Sequence, residues 1–105
     1  MEIYGLKTCD TCRKARKALP DAAFKDVRED GVAPHLLTAA FAQFGAHLLN
    51  TRSTTWRGLN DSEKARDPMD LLADHPTLMK RPLIVAGDHM YLGWDAATRG
   101  ALGVS

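Results

Sequence analysis

The sequence has few cysteines, little net charge and no long apolar run, and each shortage excludes a class of protein. Two cysteines in 105 residues are too few for the disulfide framework of a small secreted domain. The formal net charge of +1 gives no reason to expect a direct nucleic-acid or membrane partner. No apolar run approaches the roughly 20 residues of a membrane span, and Glu2 and Gly5 interrupt any hydrophobic signal. We therefore expect a cytoplasmic protein in a reducing compartment.

The length is that of one domain, 1–105, which can bury a core without disulfides. Nothing in the composition requires more than a monomer. The four histidines lack the paired spacing of metal ligands, so we expect no metal site and no bound cofactor.

The two cysteines, Cys9 and Cys12, form a Cys-x-x-Cys motif between a predicted strand, 2–6, and a predicted helix, 10–19. Cys9 would lie where a helix begins, and the unpaired N–H groups and dipole there stabilise a thiolate. Cys12 would lie one turn further on the same face, placed to resolve a mixed disulfide formed at Cys9. The alternative is a pair of inert, buried thiols.

Basic residues cluster around this motif. They form either a solvated helix face or a positive field around a thiolate or an anionic substrate. The cluster consists of Lys7, Arg13, Lys14, Arg16 and Lys17.

The rest of the chain predicts a mixed α/β fold. Residues 23–27 alternate apolar and polar side chains, which predicts a second strand and a βαβ unit; 28–31 would be a turn. The segment from about 34 to 79 predicts an all-helical insertion. It would contain a helix from Pro34 to Gly45, a short helix around Trp56 capped by Ser53 or Thr54, and helices at 62–66 and from Asp67 to His75. Strands at 83–86 and 89–93, joined by Gly87-Asp88, and a helix capped by Asp95 would close the chain.

A Cys-x-x-Cys motif after a first strand, with a distant proline opening a hairpin, is a thioredoxin-like pattern. We predict that Pro82 is cis and faces the motif, the alternative being a trans proline at a sheet edge. Arg81 would either form a surface ion pair or point at the thiolate, and its position beside Pro82 favours the thiolate. Arg52 lies in a polar stretch that predicts a plain capped loop or an anion site equally well.

Several segments resemble the arsenate reductase (ArsC) and Spx family, most closely its small YffB-type members, and together they cover nearly the whole chain. These segments are Tyr4-Gly5-Leu6-Lys7-Thr8-Cys9-Asp10-Thr11, Arg13-Lys14-Ala15-Arg16, Asp26-Val27-Arg28-Glu29-Asp30-Gly31, Leu48-Leu49-Asn50-Thr51-Arg52-Ser53-Thr54-Thr55-Trp56-Arg57, Lys80-Arg81-Pro82-Leu83-Ile84 and Leu92-Gly93-Trp94.

The resemblance implies a thioredoxin-like fold: βαβ then ββα around a mixed four-stranded sheet, with an all-helical insertion. It implies that Cys9 is the nucleophile, that glutathione with glutaredoxin or thioredoxin supplies electrons, and that Arg81 and Arg52 bind an oxyanion. The residues expected to contact the substrate are Lys7, Thr8, Asp10, Arg13 and Pro82.

Two departures weaken arsenate as the expected substrate. Leu92-Gly93-Trp94-Asp95 lacks the third arginine of the plasmid-type arsenate reductases, and the histidine found near their cysteine is absent. YffB-type proteins often carry an aliphatic residue where this chain has Cys12. Spx regulators do have Cys-x-x-Cys, but they are longer and bind RNA polymerase.

The sequence therefore predicts a thiol-dependent reductase in which Cys9 attacks a disulfide, a glutathione adduct or an oxyanion, and Cys12 or glutathione resolves the product. The alternative is a Spx-like redox sensor that binds RNA polymerase through a Cys9–Cys12 switch. A third reading is a thioredoxin-like domain without activity.

Overall fold

The structure, a computed structural model, describes residues 1–104, and these form two compact units. The sheet unit comprises 1–30 and 81–104, and the helical unit comprises Gly31–Lys80. The helical unit coincides closely with the predicted insertion. That the whole chain is one domain stays a prediction.

The order of elements agrees with the predicted βαβ, helical segment and ββα. Along the chain they are β1 (Glu2–Gly5), α1 (Asp10–Ala18), β2 (Ala23–Asp26), α2 (Val27–Asp30), α3 (Pro34–Phe44), α4 (Thr54–Arg57), α5 (Asp61–Lys64), α6 (Pro68–Asp74), β3 (Leu83–Ala86), β4 (His89–Leu92) and α7 (Ala96–Ala101), with 3₁₀ turns at Gly45–Leu48 and Pro76–Leu78. Within the described residues, none of the helices has the length and apolar character of a membrane-spanning segment.

The sheet unit is built on a mixed four-stranded sheet in the order β2-β1-β3-β4, which confirms the predicted fold class. Strand β1 pairs in parallel with β2 and antiparallel with β3, and β3 pairs antiparallel with β4. Ile3 lies opposite Phe24 on one side and Ile84 on the other. Ile3, Ile84, Ala15 and Leu19 form the buried cluster by which α1 packs against the sheet.

Residues 28–31 were predicted to form a turn, and that prediction is wrong, because helix α2 extends through Asp30. The carboxylate of Asp26 accepts hydrogen bonds from the backbone N–H groups of Arg28, at 2.8 Å, and Glu29, at 3.1 Å. An aspartate that satisfies the free N–H groups of a first turn favours helix over an open turn. Gly31, with a φ of 69°, follows directly.

The helical unit is held by an apolar core and by side-chain caps. Ser53 accepts from the N–H of Trp56, Asn60 from Glu63 and Asp67 from Met69. Helix α5 begins one residue before the predicted start, since Asn60 provides the cap. The buried residues of this unit are Leu37, Ala40, Leu48, Leu71, Leu72, Leu78 and Met79.

An isolated antiparallel bridge joins Leu49 to Met79 in the otherwise helical segment. The N–H of Asn50 donates to the carbonyl of Leu78, and the N–H of Lys80 donates to that of Leu48, both at 2.8 Å. This pairing fixes both ends of the segment that carries Arg52 and the helical unit's short helices.

Candidate active site

Cys9 is the residue that immediately precedes helix α1. Its backbone is extended, with φ of −85° and ψ of 122°, and its carbonyl accepts from the N–H of Arg13 at 3.0 Å. Its own N–H donates to the carbonyl of Leu6 at 3.1 Å, which closes the turn between β1 and α1. The half-buried thiol therefore lies at the positive end of the helix, where a thiolate is stabilised.

Cys12 lies one turn further along α1 and is fully buried. Its Sγ packs so closely against Gly5 that a Cβ added at Gly5 would overlap it. Any residue other than glycine at the end of β1 would therefore displace the second thiol. Gly5 was not predicted as a site residue, although a glycine just before the Cys-x-x-Cys loop is a signal of close backbone approach.

The two free thiols have pKa values displaced in opposite directions. Burial raises the pKa of Cys9, but hydrogen bonds from the N–H and thiol of Cys12 and from Arg81 outweigh it and leave that pKa below its ordinary value. Burial raises the pKa of Cys12 to about 12, with the neighbouring Cys9 thiolate adding to the rise. Cys9 is thus the thiol that ionises first, and Cys12 is the donor that stabilises it.

Arg81 and Pro82 complete this cluster from the start of β3. The Arg81–Pro82 peptide is cis, as predicted, and the buried Pro82 accepts from the N–H of Gly93 through its carbonyl, at 2.9 Å. Arg81 is half-buried, and its guanidinium interacts with the thiolate of Cys9 by hydrogen bond and by charge. The structure thus brings Arg81 to the two thiols of Cys9 and Cys12, which lie more than 60 residues before it in the sequence.

Lys7 is engaged by two acidic residues rather than by the thiol. Its backbone N–H donates to Asp26 and its ammonium to Glu29, each at 3.0 Å. Asp26 is buried, and burial alone would raise its pKa. Hydrogen bonds from the N–H groups of Lys7, Glu29 and Arg28 outweigh that effect and hold the pKa below its ordinary value. Asp26 therefore anchors the Cys loop to α2, a function that its position at the end of β2 did not reveal in the sequence.

The other predicted contact residues lie exposed at or near the start of α1. Thr8 is exposed beside Cys9, and the carboxylate of Asp10 pairs with the guanidinium of Arg13 on the outer face of the helix. Their contact with substrate stays a prediction, as does that of Lys7 and Pro82.

Arg52 belongs to the helical unit. Its N–H donates to Oδ1 of Asn50 at 3.1 Å, and its exposed side chain lines a cavity of about 610 Å³ with His47 and Lys80. The loop thus has cationic groups suited to an anion, and the catalytic role of Arg52 stays a prediction. Among residues 1–104, no group of three or more histidine, cysteine or acidic side chains could hold a metal ion.

Comparison with known proteins gives a family match along almost the whole chain. The model of the ArsC family matches residues 4–102. An uncharacterized protein of Haemophilus influenzae is 40% identical over 102 residues, covering 89% of this chain and 90% of its own. The global transcriptional regulator Spx of Staphylococcus aureus is 26% identical over 103 residues, covering 89% of this chain and 79% of its own.

Solved structures agree with this match. A YffB protein is 29% identical with a TM-score of 0.86, over 95% of this chain and 96% of that one. An arsenate reductase (ArsC) related protein from Brucella melitensis is 29% identical with a TM-score of 0.70, over 95% and 91% of the two chains.

Proposed function

Because the chain belongs to the ArsC family, we propose that it is a thiol-dependent reductase whose nucleophile is Cys9. The observation that carries the proposal is the asymmetry of the two thiols. The pKa of Cys9 is lowered by hydrogen bonds from Cys12 and Arg81, whereas burial raises the pKa of Cys12 to about 12. Cys9 is therefore the thiol that ionises more readily and attacks first, and Cys12 stays protonated until Cys9 has reacted.

With a disulfide or glutathione adduct, the reaction proceeds in two exchanges. The Cys9 thiolate attacks one sulfur, forms a mixed disulfide and releases the other sulfur as a thiolate. This consumes the negative charge at Cys9, which had raised the pKa of Cys12. Cys12 then loses its proton and attacks Cys9, releasing the second half of the substrate as a thiol and leaving a Cys9–Cys12 disulfide. Two glutathione molecules, or one glutaredoxin or thioredoxin, reduce that disulfide and are themselves oxidised.

An oxyanion such as arsenate is the other substrate class that this arrangement serves. Cys9 would displace an oxygen of the anion, which takes up two protons from solvent and leaves as water, and Arg81 would bind a remaining negative oxygen. Attack of Cys12 or glutathione on Cys9 would then release the two-electron-reduced oxyanion. A reaction that depends on glutathione needs a reducing compartment, so we place the protein in the cytoplasm.

The alkylation rate of Cys9 against pH tests the nucleophile directly. We expect an inflection clearly below the free-thiol value of about 8.5. Cys12→Ala removes a donor to the thiolate and should move the inflection to higher pH, whereas Cys12→Ser retains a hydroxyl donor and should move it less. An ordinary inflection in the wild type would contradict the reductase.

A turnover panel identifies the substrate class. Arsenate, a glutathione mixed disulfide and a dialkyl disulfide would be offered with glutathione to the wild type, Cys9→Ser and Cys12→Ser. Loss of turnover in Cys9→Ser alone would assign resolution to glutathione, and loss in both variants would assign it to Cys12. Equal turnover in Cys9→Ser and wild type would overturn the mechanism.

A second candidate function is a Spx-like redox sensor that binds RNA polymerase. The 26% identity to the Staphylococcus aureus regulator over 89% of the chain favours it, together with the Cys-x-x-Cys motif. Pull-down from lysate with reduced and oxidised protein should then recover a polymerase subunit in an oxidant-dependent amount. Absence of any polymerase subunit, with turnover in the panel above, would leave the reductase.

A further inference from the structure

A groove of about 520 Å³ lies beside α1 within the sheet unit. The last two turns of α1, the loop after it and strand β2 form its walls. Its lining residues are Arg13, Arg16, Lys17, Pro20, Ala22 and Phe24. The proposed reaction uses none of these residues, and Arg13 alone among them was predicted to contact the substrate.

The groove lies near the nucleophile along the chain, because its lining residue Arg13 follows Cys9 by four residues, about one turn of α1. Cys9, Arg13 and Arg16 are spaced i, i+4 and i+7, which places them along one side of α1. At a rise of about 1.5 Å per residue, Arg13 lies roughly 6 Å and Arg16 roughly 10 Å from Cys9 along the helix axis. An extended ligand that has one atom at the thiol of Cys9 would therefore pass both arginines.

The groove is positively charged, and part of it is fixed in place. The guanidinium of Arg16 lies 4.1 Å from the centre of the Phe24 ring, so the aromatic face holds this cation. Arg13 forms an ion pair with Asp10, which offsets its charge. Arg16 and Lys17 add two further positive charges to the same wall. Among the residues that the structure describes, the lining of the groove contains no carboxylate.

We propose that this groove binds an acidic segment of a protein or peptide whose disulfide sulfur is attacked by Cys9. The proposal rests on the proposed function and names its substrate class: an acidic peptide disulfide in preference to a neutral or basic one. The charge of the lining selects negative side chains. A ligand that begins at Cys9 must also present a sulfur, which favours a cysteine-containing polypeptide over a nucleic acid.

Defined peptides test this without knowledge of the natural partner. Three peptides would carry one cysteine, as its mixed disulfide with thionitrobenzoate, followed by four glutamates, four glutamines or four lysines. A matching set would carry the same residues before the cysteine, because the groove does not show whether a bound peptide runs from Cys9 toward its N-terminus or toward its C-terminus. Release of thionitrobenzoate on reaction with the reduced protein gives the second-order rate of attack by Cys9.

We expect the glutamate peptides to react about tenfold faster than the glutamine peptides at about 0.01 M salt, and the lysine peptides to react slowest. The difference should fall below about twofold at about 1 M salt, because salt screens the attraction. The variant Arg16→Glu/Lys17→Glu should reverse the order of the glutamate and lysine peptides. The variant Lys25→Glu/Arg28→Glu has the same change in net charge outside the groove and should keep the wild-type order.

The outcomes separate this proposal from the one it rests on. If no peptide reacts with Cys9, the reductase itself fails. If all peptides react at equal rates, or if both double variants alter the order equally, Cys9 remains the nucleophile and the groove has no part in recognition.

Discussion

The sheet unit and the helical unit bury different kinds of side chain. In the sheet unit the buried residues include Cys12, Asp26 and Thr98 beside the apolar core. In the helical unit, within the part of the chain that the structure describes, the buried residues are all apolar. Burial of a thiol or carboxylate costs free energy unless hydrogen bonds compensate it. In the sheet unit, the buried thiol of Cys12 and the buried carboxylate of Asp26 therefore depend on hydrogen bonds near the reactive Cys9. The core of the helical unit is stabilised by apolar packing.

The two units also differ in what holds their backbone. Strand pairing fixes the sheet unit and places Gly5 opposite Asp26. Cys12 packs against Gly5, and the Cys loop is hydrogen-bonded to Asp26 through the N–H of Lys7. The helical unit relies on helices of four to eleven residues, and Ser53, Asn60 and Asp67 cap the N-terminal ends of α4, α5 and α6. Changes to the residues that contact the two thiols in the first unit should therefore alter the reactivity of Cys9, and changes in the core and caps of the second should alter stability alone.

Removal of the nucleophile should have the largest effect. Cys9→Ser should lower the reductase rate on the order of 10³-fold or more, or about 4 kcal/mol of transition-state free energy, because a serine hydroxyl is not ionised near neutral pH. Turnover of a glutathione mixed disulfide measures this. The unfolding midpoint in urea should stay near that of the wild type, and a large decrease would mean that Cys9 supports the fold as well.

Loss of a core leucine should have the next largest effect, on stability rather than on the thiol. Leu72 is 1% exposed in the helical unit, and Leu72→Ala should cost about 2–5 kcal/mol in the free energy of unfolding, measured in urea. The half-buried Leu36 on α3 provides the matched control, because Leu36→Ala should cost clearly less. A shifted alkylation inflection of Cys9 in Leu72→Ala would show that the helical core also controls reactivity.

Much of the difference between the sheet unit and the helical unit could be predicted from the sequence, because the patterns that specify strands, helices and caps are local. The Cys-x-x-Cys spacing, the alternation in the strands and the capping residues predicted the order of the elements and the cis proline at Pro82, and the family resemblance implied the mixed sheet. Helix α2 was missed because one carboxylate, Asp26, satisfies its first turn, and the segment that follows reads equally well as a turn.

The details of the site depend on tertiary contacts, which leave little trace in a single sequence. The need for glycine at Gly5 arises only when Cys12 packs against it. Lys7 was assigned to the basic cluster around the thiols because of its charge, and the structure pairs its ammonium with Glu29, 22 residues away. Sequence spacing cannot predict such a pair, since the fold alone decides which carboxylate comes within reach.

Neutralisation of Asp26 should destabilise the sheet unit in a pH-dependent way. The folded pKa of Asp26 is lowered, so its stabilisation is present above the unfolded value of about 3.9 and is lost as the pH falls through the folded value. Asp26→Asn should cost roughly 1–3 kcal/mol at pH 7, because Oδ1 accepts from Arg28 and Glu29 and Oδ2 from Lys7, and an amide replaces one of these acceptors by an NH₂ donor.

The measurement is urea unfolding of wild type and Asp26→Asn at several pH values. The difference between the two proteins should shrink as the pH falls below about 4, where Asp26 of the unfolded wild type becomes protonated, and should be lost once the pH has passed the lowered pKa of the folded protein. A constant difference across the pH range would show that the ionised form contributes nothing.

Removal of the cation beside the thiolate should change reactivity with little change in stability. Arg81→Ala should move the alkylation inflection of Cys9 to higher pH, because Arg81 lowers the pKa of Cys9 by hydrogen bond and by charge. Arg81→Lys should keep part of the effect. Arg99→Ala, on α7 of the same unit, removes an equal charge and should leave the inflection unchanged. An unmoved inflection in Arg81→Ala would remove Arg81 from the mechanism.

Loss of one helix cap should have the smallest effect and should sharpen the contrast between the units. The side chain of Asn60 accepts from the N–H of Glu63 at 2.8 Å and begins the four-residue helix α5. Asn60→Ala should cost about 1 kcal/mol in the free energy of unfolding, whereas Asn60→Asp keeps the acceptor and should cost little. Because a helix this short has almost no internal stability of its own, the cap is a larger part of what keeps it folded. If Ala and Asp at this position gave equal urea midpoints, packing alone would hold α5, and the helical unit would not depend on its caps.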